Sequence, residues 1–260
     1  MPEYLFLMVG FFIGIAASVV GIGGGGFIVP FLTLYFGMDV QEAIGTSIFT
    51  IFFTSVSSSL AYHKKNLIDP LLGATILFTS VIGAVFGAFS TSHVSSTLLS
   101  AFFGIFMIFP SLVMLSGKEL GIRKKPITGF SIERKTESGN YSIDIPLVLL
   151  LGFFAGFLSG FFGIGGGILL VPLMLFIGVP TRISIATSLF VMVFTSLSGA
   201  CTHFTLGNID FTCAMPLIVG LLIGAQIGPR ISVKIRTENL RRFFGIVLLY
   251  FCIKMILENF

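Results

Sequence analysis

The sequence predicts an all-α integral membrane protein built from two inverted-topology repeats. Three observations predict it: long stretches without charge, a duplication of nearly the whole chain, and a loop-charge bias that changes sides between the copies. Of the 260 residues, 55% are hydrophobic and 10% charged, against about 25% charged in a soluble domain. No Asp, Glu, Lys or Arg occurs from Tyr4 to Met38, Ala43 to His63, Pro70 to Gly117, Ile145 to Thr181 or Ile183 to Ile209. A helix needs about 20 apolar residues to cross the hydrocarbon core, so each stretch accommodates one or two crossings. The N-terminus MPEYLFLMVG has Glu3 and no basic region, which predicts a retained first segment rather than a cleaved leader.

The duplication is read from residues that generic hydrophobicity would not keep in register. GFFIGIAASVVGIGGGGFIVP (10–30) aligns with GFFAGFLSGFFGIGGGILLVP (152–172). Downstream, Thr46-Ser47 matches Thr187-Ser188, Thr54-Ser55 matches Thr195-Ser196, and Ile68-Asp69 matches Ile209-Asp210. The chain therefore divides into an N-terminal membrane repeat (1–116), a basic linker (117–143) and a C-terminal membrane repeat (144–260).

Each repeat reads as five apolar segments. They fall near 4–20, 27–37, 44–62, 70–90 and 97–116, then near 145–162, 168–178, 184–204, 211–229 and 240–258. The second segment of each repeat is too short to span, follows a glycine cluster and contains a proline. It is expected to be half of a broken helix or a re-entrant helix. Asp69 and Asp210, at corresponding segment starts, are expected to cap helices.

Lys and Arg set orientation. The linker carries Lys118, Arg123, Lys124, Lys125, Arg134 and Lys135, which predicts a cytoplasmic position. Lys64-Lys65 lie in the third connection of the first repeat, whereas Arg230, Lys234, Arg236, Arg241 and Arg242 lie in the fourth connection of the second. This swap predicts inverted halves with both termini outside, in a multi-pass protein of the cell membrane. The net charge of +4 sits in loops between apolar segments, so no nucleic-acid partner is expected.

Inverted repeats with discontinuous helices are the layout of many secondary transporters, with the site where the broken helices meet. The candidate substrate-binding residues follow from that layout. Gly23, Gly24, Gly25 and Gly26, with Gly165, Gly166 and Gly167, let backbone N–H groups converge at helix N-termini, where an anion is favoured without a buried cation. Close helix packing is the competing explanation of the same glycines. Thr46, Ser47, Thr187 and Ser188 open the third segments, where their hydroxyls can replace water around an oxyanion or else bond to the helix backbone. His63 and His203 lie near the ends of those segments, and Arg182 near the start of one, as candidates for pairing with an anion. Interfacial packing and snorkelling are the alternatives for these three.

No catalytic or metal site and no cofactor is expected. GIGGGG (21–26) fits a dinucleotide fingerprint but lies between apolar runs, and Ile168 breaks it in the second copy. Cys201, Cys213 and Cys252 are dispersed, and H-E-x-x-H is absent. No carboxylate stands in mid-segment for a proton relay. An exporter of anions has less need of one, because each negative charge leaving a negative interior gains about 2.3 kcal/mol per 100 mV.

The GIGGG-x-x-x-VP stretches, the A-x-x-TS with its serine-rich span (ATSLFVMVFTSLSGA) and the HFTLGNID connection resemble the TauE/SafE family of membrane permeases. The first repeat departs at Lys64-Lys65-Asn66. The resemblance implies a substrate class, sulfite or a small organosulfonate such as sulfoacetate. It implies a secondary transporter that exports a small sulfur-containing anion across the lipid bilayer by alternating access. An anion channel or facilitator using the same glycine-lined path is the alternative, and a homo-oligomer is compatible with either.

Overall fold

The computed structural model describes residues 3–116, 130–136, 139–231 and 237–258. Among them are ten helices: α1 Glu3–Val20, α2 Gly25–Phe36, α3 Val40–His63, α4 Pro70–Thr91 and α5 Ser96–Ser116, then α6 Ile145–Phe162, α7 Gly167–Phe176, α8 Thr181–Thr205, α9 Phe211–Ile231 and α10 Thr237–Leu257. Lys118, Arg123, Lys124, Lys125, Lys234 and Arg236, which contribute to the charge-based orientation, lie outside the described residues.

Local chemistry explains the helix ends. Asp39 accepts a hydrogen bond from the Gln41 N–H at 2.9 Å and caps α3. Asp69 accepts from Leu71 and Leu72 at the start of α4, ahead of Pro70 in the first turn, where its missing N–H costs nothing. Asp210 does the same for Thr212 and Cys213 in α9. Among the described residues, α3, α4, α5, α6, α8 and α9 are long and apolar enough to cross a bilayer. The 12 residues of α2 and the 10 of α7 cover only about 18 and 15 Å, roughly half the hydrocarbon thickness.

The short helices turn back. The Phe6 ring near the start of α1 lies 4.5 Å from that of Phe36 at the end of α2, and Phe31 lies between them in sequence at 6.3 Å from Phe6. So α1 and α2 form a hairpin that enters and leaves at the same end, with the glycine cluster at its tip. In the second half, Val148 and Ala155 of α6 pack in one cluster with Leu170, Met174 and Ile177 of α7 and its end.

The halves interlock through equivalent contacts. Gly10 and Gly14 of α1 pack against Leu217, Leu221 and Ala225 of α9, so these helices run parallel. In the same way Gly152, Gly156 and Gly160 of α6 pack along Ile76, Ser80 and Ala84 of α4. A side chain on any of these glycines would strike the neighbouring backbone, which is how small residues let helices approach. Equivalent helices meet in antiparallel pairs: Gly104 of α5 faces Cys252 and Ile256 of α10, while Gly245 faces Met114 and Leu115. Helices α3 and α8 occupy the centre, with 72% of their apolar windows buried against 44–50% for the other four spans.

One element is unlike the expectation for the linker. Residues Ser131–Thr136 (β1) and Gly139–Asp144 (β2) pair antiparallel, with Arg134 opposite Tyr141. Tyr141 and Ile143 are buried with Leu72, Val148, Ile177 and Ile183, so the hairpin covers the end where α4, α6 and α8 begin. Arg134 Nε and Nη2 donate to the two oxygens of Asp69 at 3.0 and 3.1 Å, and the Tyr141 hydroxyl donates to the same carboxylate. Burial alone would raise the Asp69 pKa. The bonds from Tyr141, Arg134 and the helix backbone outweigh it and hold the carboxyl below its usual range.

Candidate anion site between two glycine clusters

The two glycine clusters meet at the centre of the molecule. A Cβ on Gly25 would overlap the Gly163 carbonyl oxygen, and one on Gly167 would overlap that of Gly21. These are equivalent contacts of the two halves. The cap residues of the short helices, Gly24 (φ 93°) and Gly166 (φ 80°), are left-handed, a conformation that only glycine adopts freely. Neither short helix has a side-chain cap. The N–H groups of Phe27 and Leu169 bond the cap carbonyls of Gly24 and Gly166 at 3.0 and 3.1 Å, which leaves those of Gly25 and Gly26, and of Gly167 and Ile168, as the first-turn donors outside these bonds.

The Thr-Ser pairs tie these clusters to α3 and α8. The Ser47 hydroxyl donates to the Gly163 carbonyl at 2.7 Å, and the Ser188 hydroxyl, which donates to Ile185 of its own helix at 2.8 Å, lies 3.3 Å from the Gly21 carbonyl. Thr46 Oγ1 accepts from the Asp210 N–H at 2.9 Å, while Thr187 Oγ1 accepts from Asp69 N–H at 3.0 Å. All four are completely buried. They position the glycine turns and the starts of α4 and α9 by bonds between the halves.

The remaining candidates separate. His203 is buried and its Nε2 lies 3.0 Å from the Gly160 carbonyl oxygen. Its structural equivalent is Tyr62, whose hydroxyl donates to the Ser18 carbonyl at 3.0 Å. His63, the next residue, is exposed at the end of α3. Arg182 is exposed at the start of α8, away from the glycine clusters. The structure therefore brings together the glycines and the Thr-Ser pairs, with His203 in contact with α6 about one turn before the second cluster.

Two residues were absent from the candidates read in the sequence. Ile51 and Met192, equivalent positions of α3 and α8, both reach Gly23 and Gly165 and fill the space between the clusters. Both are fully buried. Their apolar character hid them among core residues. The signal that could have found them is their shared place in the repeat, one turn beyond the Thr-Ser pairs.

Comparisons with known proteins show a family. The family model described as Sulfite exporter TauE/SafE matches residues 6–255. The chain is 34% identical to the probable membrane transporter protein YunE of Bacillus subtilis, over all of this chain and 99% of that protein. It is 29% identical to a probable membrane transporter protein of Methanocaldococcus jannaschii, over 94% of this chain and 91% of the other. A shorter match, 38% identical over 28% of this chain and 18% of the relative, is to Sulfite exporter TauE/SafE family protein 5 of Arabidopsis thaliana. No solved structure matches the chain. With nearly its whole length matched and its helices long enough to span, the chain belongs to the TauE/SafE family and is a multi-pass membrane transporter.

Proposed function

We propose that this transporter exports sulfite or a small organosulfonate by alternating access, with the anion passing between the two glycine-rich helix starts. The observation that carries the proposal is the meeting of Gly21–Gly25 with Gly163–Gly167 in a buried centre, where two uncapped helix N-termini supply positive dipole ends. The antiparallel pairing of equivalent helices supports an inverted pair of repeats, the arrangement that lets one site face either side. The loop charges orient it with the linker in the cytoplasm and both termini outside the plasma membrane.

The tight contact between the clusters, with Ile51 and Met192 packed beside them, favours a gated carrier over an open channel. Anion passage requires the halves to move apart at this point. The pseudo-equivalent contacts of Ser47 and Ser188 with the glycine turns of the opposite half close the centre and must open in the exchange.

The proposal is tested by thermal unfolding of the purified protein with sulfite, sulfate, taurine and sulfoacetate. A ligand that binds the native state raises apparent stability, by about 2.7 kcal/mol at a hundred times its Kd. Stabilisation by sulfite or a sulfonate, lost in Gly166→Leu, is the expected result. Indifference to all four anions would contradict the proposal.

A further inference from the structure

The duplicated centre departs from symmetry at the caps of the two short helices. Gly24 and Gly166 are equivalent left-handed caps, but their surroundings differ. A Cβ on Gly24 would lie 2.7 Å from Ile13 Cγ2. At Gly166 the nearest atoms would be the Ala155 carbonyl oxygen and Ser159 Cβ, both at 3.5 Å, with Ser159 Oγ at 3.7 Å. Two exchanges produce the difference: Ala155 stands where the first repeat has Ile13, and Ser159 stands where it has Ala17. The first cap is packed by hydrocarbon too closely to admit a Cβ, and the second would hold one in ordinary contact beside a hydroxyl.

That hydroxyl is unusual. Ser159 is fully buried and its Oγ has no hydrogen-bond partner among the described residues. The neighbouring Ser47, Thr50, Thr54, Ser188 and Thr195 all donate to carbonyls. A buried hydroxyl without a partner lowers stability, so its presence beside an uncapped helix start points to a partner that comes and goes. Helix α7 has ten residues, and the N–H groups of Gly167 and Ile168, which follow the same cap, lie outside the bonds that Leu169 and Leu170 make to the Gly166 carbonyl.

We propose that the N-terminus of α7 and the Ser159 hydroxyl together contact one oxygen edge of an –SO3 oxyanion, so that binding is one-sided. The second glycine cluster adds a hydroxyl contact that the first lacks, and the first contributes only its helix dipole. This inference rests on the anion-transport reading above and deepens it by naming the contact and the half that makes it. The hydroxyl serves as a donor to the anion, in line with backbone N–H groups, and no cation is needed.

The test uses the full-length protein in detergent and in proteoliposomes, with sulfite and sulfoacetate as probes. Ser159→Ala removes an unpartnered buried group, so it is expected to leave unliganded thermal stability unchanged or raised. Its apparent affinity for the anion is expected to fall roughly ten- to hundredfold, the loss of one hydrogen bond to a charged group. Ser58→Ala removes a second buried hydroxyl without a partner among the described residues, on α3, and is expected to leave affinity unchanged. Ala155→Ile restores the packing of the first repeat and is expected to weaken binding with the fold intact. Wild-type affinity in Ser159→Ala would overturn the inference while leaving the transport reading in place. Loss of the fold in Ser159→Ala would also overturn it, by making the hydroxyl structural. If neither anion binds or moves with the wild-type protein, the transport reading itself fails.

Discussion

Two adjacent glycines at the start of α2 give a graded test of the central contact. A Cβ on Gly25 would overlap the Gly163 carbonyl oxygen and lie 2.6 Å from Ile164 Cα, both backbone atoms of the opposite half. A Cβ on Gly26 would meet only side-chain ends, Leu248 Cδ1 at 3.3 Å and Ile168 Cδ1 at 3.4 Å. Both residues lie inside the helix, where Gly→Ala alone is favourable by up to about 1 kcal/mol. Gly26→Ala is therefore expected to be neutral or stabilising. Gly25→Ala must push the two glycine turns apart, and overpacking of this kind costs about 1–3 kcal/mol. Net of propensity, the two variants should differ by about 1–3 kcal/mol, or several degrees in Tm, at roughly 2–4 °C per kcal/mol for a chain of this size. Thermal unfolding in one detergent reads the difference directly. Equal Tm values for the two variants would refute the claim that the clusters are in backbone contact.

Other expectations follow from the same geometry. Ile51→Ala and Met192→Ala should each lower stability by about 2–5 kcal/mol, and in proteoliposomes each should increase anion leak relative to saturable flux. Unchanged leak would remove these residues from the closed centre. Arg134→Ala should cost about 1–2 kcal/mol, discounted because the Arg134 side chain is one-third exposed, and should speed hydrogen exchange in β1 and β2. Because the Asp69 carboxyl is held below its usual range in the folded protein, its contribution is complete above the ordinary value of about 3.9. That contribution is lost as pH falls through the lowered value, so hairpin protection should weaken only in acid. Protection that weakened towards alkaline pH instead would contradict this. His203→Tyr should keep the bond to Gly160 that Tyr62 makes to Ser18 in the other half, whereas His203→Phe should lose about 1 kcal/mol. Equal stability of these two variants would assign His203 another role.

Much of the fold was legible because the bilayer constrains it. The absence of charge set the spans, and the described helices begin and end within a few residues of the apolar segments. The short length of 27–37 and 168–178 announced α2 and α7, but only the Phe6–Phe36 contact shows that α2 doubles back. The β-hairpin was missed although its cues were present. Ile132 and Arg134, and Tyr141 and Ile143, alternate on either side of the polar run Glu137-Ser138-Gly139-Asn140. The basic residues of that segment drew a reading of orientation instead.

The candidate site was legible in its glycines and less so in its hydroxyls. That Ser47 would bond Gly163, far away in sequence, depends on how the halves interlock and leaves no local trace. The register of the repeat carried more than was taken from it. It pairs Tyr62, not His63, with His203, and it pairs Ile51 with Met192. Ser159 escaped notice because a lone serine in an apolar helix is ordinarily bonded to its own backbone, and only its environment shows that it is not.

The central claim is that a small sulfur oxyanion moves through the meeting point of the two glycine clusters. Counterflow of labelled sulfite or sulfoacetate in proteoliposomes tests it most directly. The account predicts saturable exchange in the wild-type protein and its loss in a folded Gly166→Leu variant. No exchange above protein-free liposomes, or undiminished exchange in that variant, would contradict it.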